Sequence, residues 1–182
     1  MKLKKTILIL TTLSLTAGGV LGYHFIDSKR QADVSQAYTS NDERFDAEFP
    51  SEPKESSEEM EVANKKIEYH QLSTEEGDST YAVSYIDFPG YWKMLGTKKL
   101  LTKSFDAFVE NEKNVEEVLD KQFDSHDGYL ALIYRLKQNG KEIKGKFLIV
   151  GNTLYRITVT YPLAAAEKIH PNAFLDSFKI KK

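Results

Sequence analysis

Two turn dipeptides, Asn139-Gly140 and Gly151-Asn152, constrain this chain more than any other feature. Both are strong hairpin signals, because short connections between antiparallel strands demand residues tolerant of positive φ. They divide the distal part of the chain into three β-rich runs, Tyr129–Lys137, Ile143–Val150 and Thr153–Tyr161. In the last run Tyr155, Ile157, Val159 and Tyr161 alternate with Leu154, Arg156, Thr158 and Thr160, the period of a strand with two distinct faces. Strands joined by tight hairpins must lie antiparallel, so this half of the chain cannot be built from βαβ units.

The proximal half extends the same pattern. Arg44–Phe49 places Phe45, Ala47 and Phe49 on one side and ends at Pro50, a first short strand. Lys65–Leu72 and Thr80–Phe88 are the next strands, with Gly77 and Asp78 supplying turn chemistry between them. After Pro89-Gly90, a helix is expected from Thr97, with Leu101, Phe105, Phe108 and Val109 at helical spacing. It should stop near Asn114, although Val115, Val118 and Leu119 continue a helical face. Leu163–Ile169 reads as a short Ala-rich helix after Pro162, and Phe174–Ile180 closes the domain. Ser51–Glu61 reads as an acidic loop, and Asp27–Asp42 as a polar tether. There is no internal repeat. The expectation is one α+β domain over residues 43–182, helices laid on a central antiparallel sheet. Aromatic residues at 12%, mostly Tyr and Phe, suit such a sheet.

The N-terminus has a separate character. Lys2, Lys4 and Lys5 precede Thr6–Ile26, a stretch with no formally charged residue. A basic start followed by an apolar run and small residues is a secretory signal pattern. Ala17 and Gly19, or Val20 and Gly22, stand where a signal peptidase needs small residues, and neither pair is an Ala-x-Ala. The rival reading is an uncleaved anchor: a run of this length just spans ~30 Å of hydrocarbon, with the lysines held in the cytoplasm. These two readings of residues 1–26 imply export, either as a secreted or periplasmic protein or tethered by residues 6–26 to the outer face of the cytoplasmic membrane; a merely buried helix is the third reading.

Composition excludes several chemistries. The chain has no cysteine, which removes disulfides, thiolate metal sites, cysteine nucleophiles and a lipidated cysteine. It carries 25 basic and 27 acidic side chains, and the export segment takes three of the lysines. An acidic remainder offers no footprint for nucleic acid and contacts membrane only through the N-terminal segment, if that is retained.

No catalytic motif stands up to inspection. Gly140-Lys-Glu-Ile-Lys-Gly145-Lys146-Phe147 meets the first part of a phosphate-binding loop, then places Phe147 where a Ser or Thr must hold magnesium, and its context is a hairpin. Asp124, His126 and Asp127 form the only acidic/His cluster; they are either ligands of a divalent metal or a polar turn before Tyr129. His70 and His170 stand alone. No G-x-S-x-G elbow is present, and the acidic 51–61 segment lacks fixed cation-ligand spacing. Tyr91 and Trp92, the latter the sole tryptophan, follow a turn that leaves the sheet; they either line a pocket or partner-binding patch or pack the next helix onto the sheet.

Laid out in this way, the chain resembles the PsbP-like (PsbP/Mog-type) superfamily over Arg44–Ile180. The resemblance rests on Arg44-Phe-Asp-Ala-Glu-Phe-Pro50 with Pro53, and on Tyr81–Asp87 running into Phe88-Pro89. It rests further on Asp127-Gly-Tyr-Leu-Ala-Leu-Ile-Tyr-Arg135, Gly145–Tyr155 with its Gly-Asn turn, and Phe174-Leu-Asp-Ser-Phe178. Leu130 departs from the family's usual proline. The resemblance implies an α/β/α sandwich around an antiparallel sheet, no shared active site, and, for photosynthetic relatives, accessory or assembly roles in the lumen; with no motif for one in the sequence, no cofactor is expected. The resulting expectation is an exported, non-enzymatic binding or accessory protein that engages a protein of the cell envelope. A small-ligand or divalent-metal binder is the alternative, and a hydrolase without a recognisable motif is a third.

Overall fold

The computed structural model describes residues 36–62, 65–112 and 114–181. The export segment and the first part of the tether lie outside the described residues. Ten strands form two antiparallel sheets among these residues. The larger is built from β3 (Lys54–Val62), β4 (Lys65–Glu76), β5 (Ser79–Asp87), β6 (Val115–His126), β7 (Tyr129–Gln138), β8 (Lys141–Val150) and β9 (Thr153–Pro162). Its spatial order is β3-β4-β5-β9-β8-β7-β6. The smaller sheet is β1 (Gln36–Thr39), β2 (Phe45–Phe49) and β10 (Lys179–Ile180), with β2 in the middle. Helix α1 spans Thr97–Asn111 and α2 spans Pro171–Ser177.

The three distal hairpin strands form as the sequence demands. Asn139 and Gly140 both take positive φ, 50° and 70°, the pattern of a type I′ turn. Gly151-Asn152 then joins Val150 to its partner Thr153.

The two faces of the large sheet are covered differently. On one, Ile86, Leu132, Leu136, Phe147 and Leu154 meet Leu101, Phe105 and Phe108 of α1. On the other, Tyr81, Val83, Tyr155, Ile157 and Val159 meet Phe45 and Phe49 of β2, with Phe174 and Leu175 of α2 and Phe178 beside them. Each such side chain, fully buried, contributes about 1.5–3 kcal/mol. The result is a three-layer α+β sandwich with the open antiparallel sheet in the centre.

Four local expectations are corrected. The acidic 51–61 segment is not a loop: from Lys54 it is edge strand β3, buried only at Met60 and Val62. Its glutamates line an exposed edge, a composition that discourages pairing with another chain. Gln36–Thr39, assigned to the tether, pairs with β2. Val115–His126 is strand β6, not a helical continuation. Register shifts between Val115 and Glu117 and between Val118 and Asp120 interrupt its pairing with β7, and its half-buried apolar residues, Val115, Leu119 and Phe123, fall four apart. Residues four apart share a face in a strand and in a helix alike. Finally, Leu163–Ile169 holds only a single 3-10 turn, Leu163–Ala165. The second helix starts at Pro171, since proline suits the first helical position and disfavours helix in the residue before it. His170 there takes a left-handed φ of 39°.

Candidate functional site

Strand β5 ends at Asp87, and Phe88 donates its amide to Asn152 O (2.9 Å). Gly90–Leu95 then form a 3-10 turn with no buried residue, closed by Trp92 N–Pro89 O and Gly96 N–Lys93 O bonds of 2.9 Å each. Two opposite environments meet in it. Trp92 turns inward and stacks on Phe88, ring centroids 6.0 Å apart. Tyr91 (57% exposed) and Met94 (89%) face solvent, and Leu95, also part-exposed, lies at the rim where it lines the cavity below. The sequence had joined Tyr91 and Trp92 as one feature; the structure divides them between a surface and a cavity wall.

That cavity has a volume of about 180 Å³ and lies between α1 and the sheet. Trp92, Phe88, Leu100, Ile149, Leu154 and Ile86 supply most of its wall, with Lys103 and Ser104 as polar groups. A smaller space of about 20 Å³ adjoins it, sharing Ile86 and Leu154. Arg156 lines this second space. Its guanidinium sits 4.7 Å from the Phe108 ring centre and donates to Tyr69 Oη (3.1 Å).

The acidic/His cluster is not brought together as a ligand set. His126, at the end of β6, has both ring nitrogens engaged. Nε2 lies 2.7 Å from Phe178 O, a group that only accepts, so Nε2 carries the proton and Nδ1 accepts from Lys146 Nζ at 3.0 Å. Lys146 is 3% exposed and donates also to Asp176 Oδ1 (3.1 Å). Burial and the neighbouring ammonium hold the His126 imidazole below its ordinary pKa, and burial likewise lowers that of Lys146. Asp127 Oδ2 accepts from the Ile180 amide (3.3 Å), and Asp124 Oδ1 from Ser125 N (2.7 Å). His126, Lys146 and Asp127 fasten the C-terminal segment with α2 and β10 to the large sheet, while the Asp124 bond is local. Among the described residues, no group of three or more His, Asp or Glu is placed to hold a metal ion.

A further polar knot, which the sequence did not single out, ties β2 to the sheet. Arg44 Nη1 donates to Asp87 Oδ1 (2.8 Å), Nε pairs with Asp42 (2.6 Å), and the guanidinium lies over the Tyr85 ring. Tyr85 Oη donates to Asp42 and Thr153 Oγ1 to Asp87. These bonds keep both carboxylates below their ordinary pKa in spite of partial burial. With every charge answered, the knot is built as a structural tie. His70 stacks on Tyr85, centroids 4.6 Å apart, and the phosphate-loop look-alike is broken by Gly145, which lies within β8 opposite Tyr134.

Among the described residues, no helix is long and apolar enough to cross a membrane. No protein-family model matches the chain, and no curated protein does. Several solved structures do. One is the solution structure of cyanobacterial PsbP (CyanoP) from Synechocystis sp. PCC 6803, at 13% identity and a TM-score of 0.52, covering 86% of this chain and 98% of that one. At that identity the likeness is one of fold, and the fold is the PsbP-like sandwich.

Proposed function

We propose that this chain is an exported, non-catalytic binding protein of the cell envelope that engages a protein partner through the Gly90–Leu95 turn. The observation that carries the reading is the exposure of Tyr91, Met94 and Leu95 together on one short turn. A turn that leaves Tyr91 and Met94, and part of Leu95, in water loses their burial energy, and tyrosine and methionine are favoured anchors at protein interfaces. Trp92, locked on Phe88, holds the turn against the sheet. The N-terminal sequence supplies the route out of the cytoplasm, and the resemblance to exported PsbP-like accessory proteins agrees with a binding role.

The test is quantitative capture from solubilised envelope, comparing the parent with a Tyr91→Ser/Met94→Ser variant. A partner retained by the parent and lost by the variant, with both proteins melting alike, supports the reading. A partner retained equally by both refutes the assignment to this turn.

A further inference from the structure

The space under α1 holds an electrostatic imbalance. Arg156 carries a permanent positive charge and five N–H donors, yet its bonded partner is one neutral phenol, Tyr69 Oη. Glu112, the acidic group whose field reaches it, makes no ion pair with it and accepts instead from Gln138 Nε2 (2.9 Å). A partly buried cation beside Phe108 and a phenol thus has Glu112 acting on it at a distance and no carboxylate of the described residues in ion-pair contact. Elsewhere the fold does answer its guanidinium: Arg44 has Asp42 and Asp87. The space that Arg156 lines shares Ile86 and Leu154 with an almost wholly apolar cavity of about 180 Å³.

We propose that this is a binding site for a small monocarboxylic acid, its apolar body in the cavity beside Trp92 and its carboxylate on Arg156. The two halves match the two ends of such a ligand. An apolar cavity near 150 Å³ holds a benzene-sized molecule, so a body of about six to eight heavy atoms fits here. The guanidinium fork suits a carboxylate better than any neutral head group. A few polar groups at one end of an apolar pocket is the ordinary build of a small-molecule site. The site faces inward from the Gly90–Leu95 turn and does not depend on the partner-binding role of Tyr91 and Met94.

Trp92, the sole tryptophan, lines the cavity and reports occupancy. Titration of the full chain with octanoate, and with octan-1-ol as the uncharged control, is read by its fluorescence. Octanoate is expected to saturate the signal and to bind more tightly than the alcohol. Arg156→Met should weaken octanoate at least tenfold, the value of a charge-assisted bond, and leave octanol unchanged. Ala107→Leu, which fills the cavity from α1 at a position that does not line the space beside Arg156, should abolish both responses and keeps the test open if the arginine variant misfolds. Equal affinity for acid and alcohol, no saturable response, an unaltered response in Ala107→Leu, or a loss caused by Lys103→Ala instead of Arg156→Met would each overturn the proposal.

Discussion

Lys146 Nζ lies 3.0 Å from His126 Nδ1, so a buried ammonium donates to an imidazole that must stay neutral to receive it. The pair, with Asp176 and Phe178 O, is the fastening between the sheet and the C-terminal segment. Because burial and Lys146 lower the His126 pKa in the fold, the unfolded chain binds the proton more readily. The stabilisation is therefore complete above the unfolded value near 6.5 and is lost as pH falls through the folded value. Thermal melts between pH 5 and 8 should show the melting temperature declining below about pH 6.5. His126→Gln should be less stable at pH 8, by roughly 1–3 kcal/mol, and should lose most of that slope. An unchanged slope in the variant would assign the acid sensitivity elsewhere; Asp42 and Asp87, with pKa values below the usual carboxylate range, act at lower pH.

Tyr134 and Gly145 face one another across β7 and β8. A Cβ at Gly145 would meet Tyr134 Cζ and Oη at 2.6 Å and Ile157 O at 2.9 Å, so the phenol occupies the place of the missing side chain. Gly145→Ala should cost about 1–3 kcal/mol or more by overpacking. Tyr134→Phe should have the opposite sign or none, because its hydroxyl is buried with no hydrogen-bond partner among the described residues and removing such a group recovers its desolvation cost. Urea unfolding of both variants checks the pair of signs.

Phe108 packs on Tyr134 and Phe147 and beneath Arg156, joining α1 to the sheet. Phe108→Ala should destabilise by about 3–5 kcal/mol. By comparison, Arg44→Leu should cost roughly 1 kcal/mol, since the Arg44 pairs are partly exposed and screened. Its clearer effect should be faster amide exchange in β2, which hydrogen-exchange mass spectrometry resolves.

The parts of the fold that were legible in the sequence are those fixed by local chemistry. Asn139-Gly140 and Gly151-Asn152 set three strands because turn stereochemistry leaves few alternatives, and Leu101, Phe105 and Phe108 set α1 because one helical face is buried. The edge strands were hidden for opposite reasons. β3 presents glutamates to solvent and so lacks alternation until Met60, while β6 half-buries Val115, Leu119 and Phe123, a spacing of four that a strand and a helix share. α2 was signalled by Pro171 at its first position, a cue outweighed by the alanines before it. Trp92 was legible as a lone tryptophan after Pro-Gly, although its division from Tyr91 was not. Arg156 was invisible because Leu154, Arg156, Thr158 and Thr160 read as the wetter face of β9. Only the placement of α1 over that face makes the arginine an inner group.

The central claim, that the Gly90–Leu95 turn is where a protein partner docks, is tested most directly by site-specific photo-crosslinking in intact cells. A photoreactive residue replaces Tyr91, and in a parallel strain Lys144, a partly exposed position of β8 away from the turn. The account predicts a discrete crosslinked species from position 91, absent from position 144 and lost when Met94 is changed to Asp. Equal crosslinking from both positions, or none from position 91 in exported protein, would contradict it.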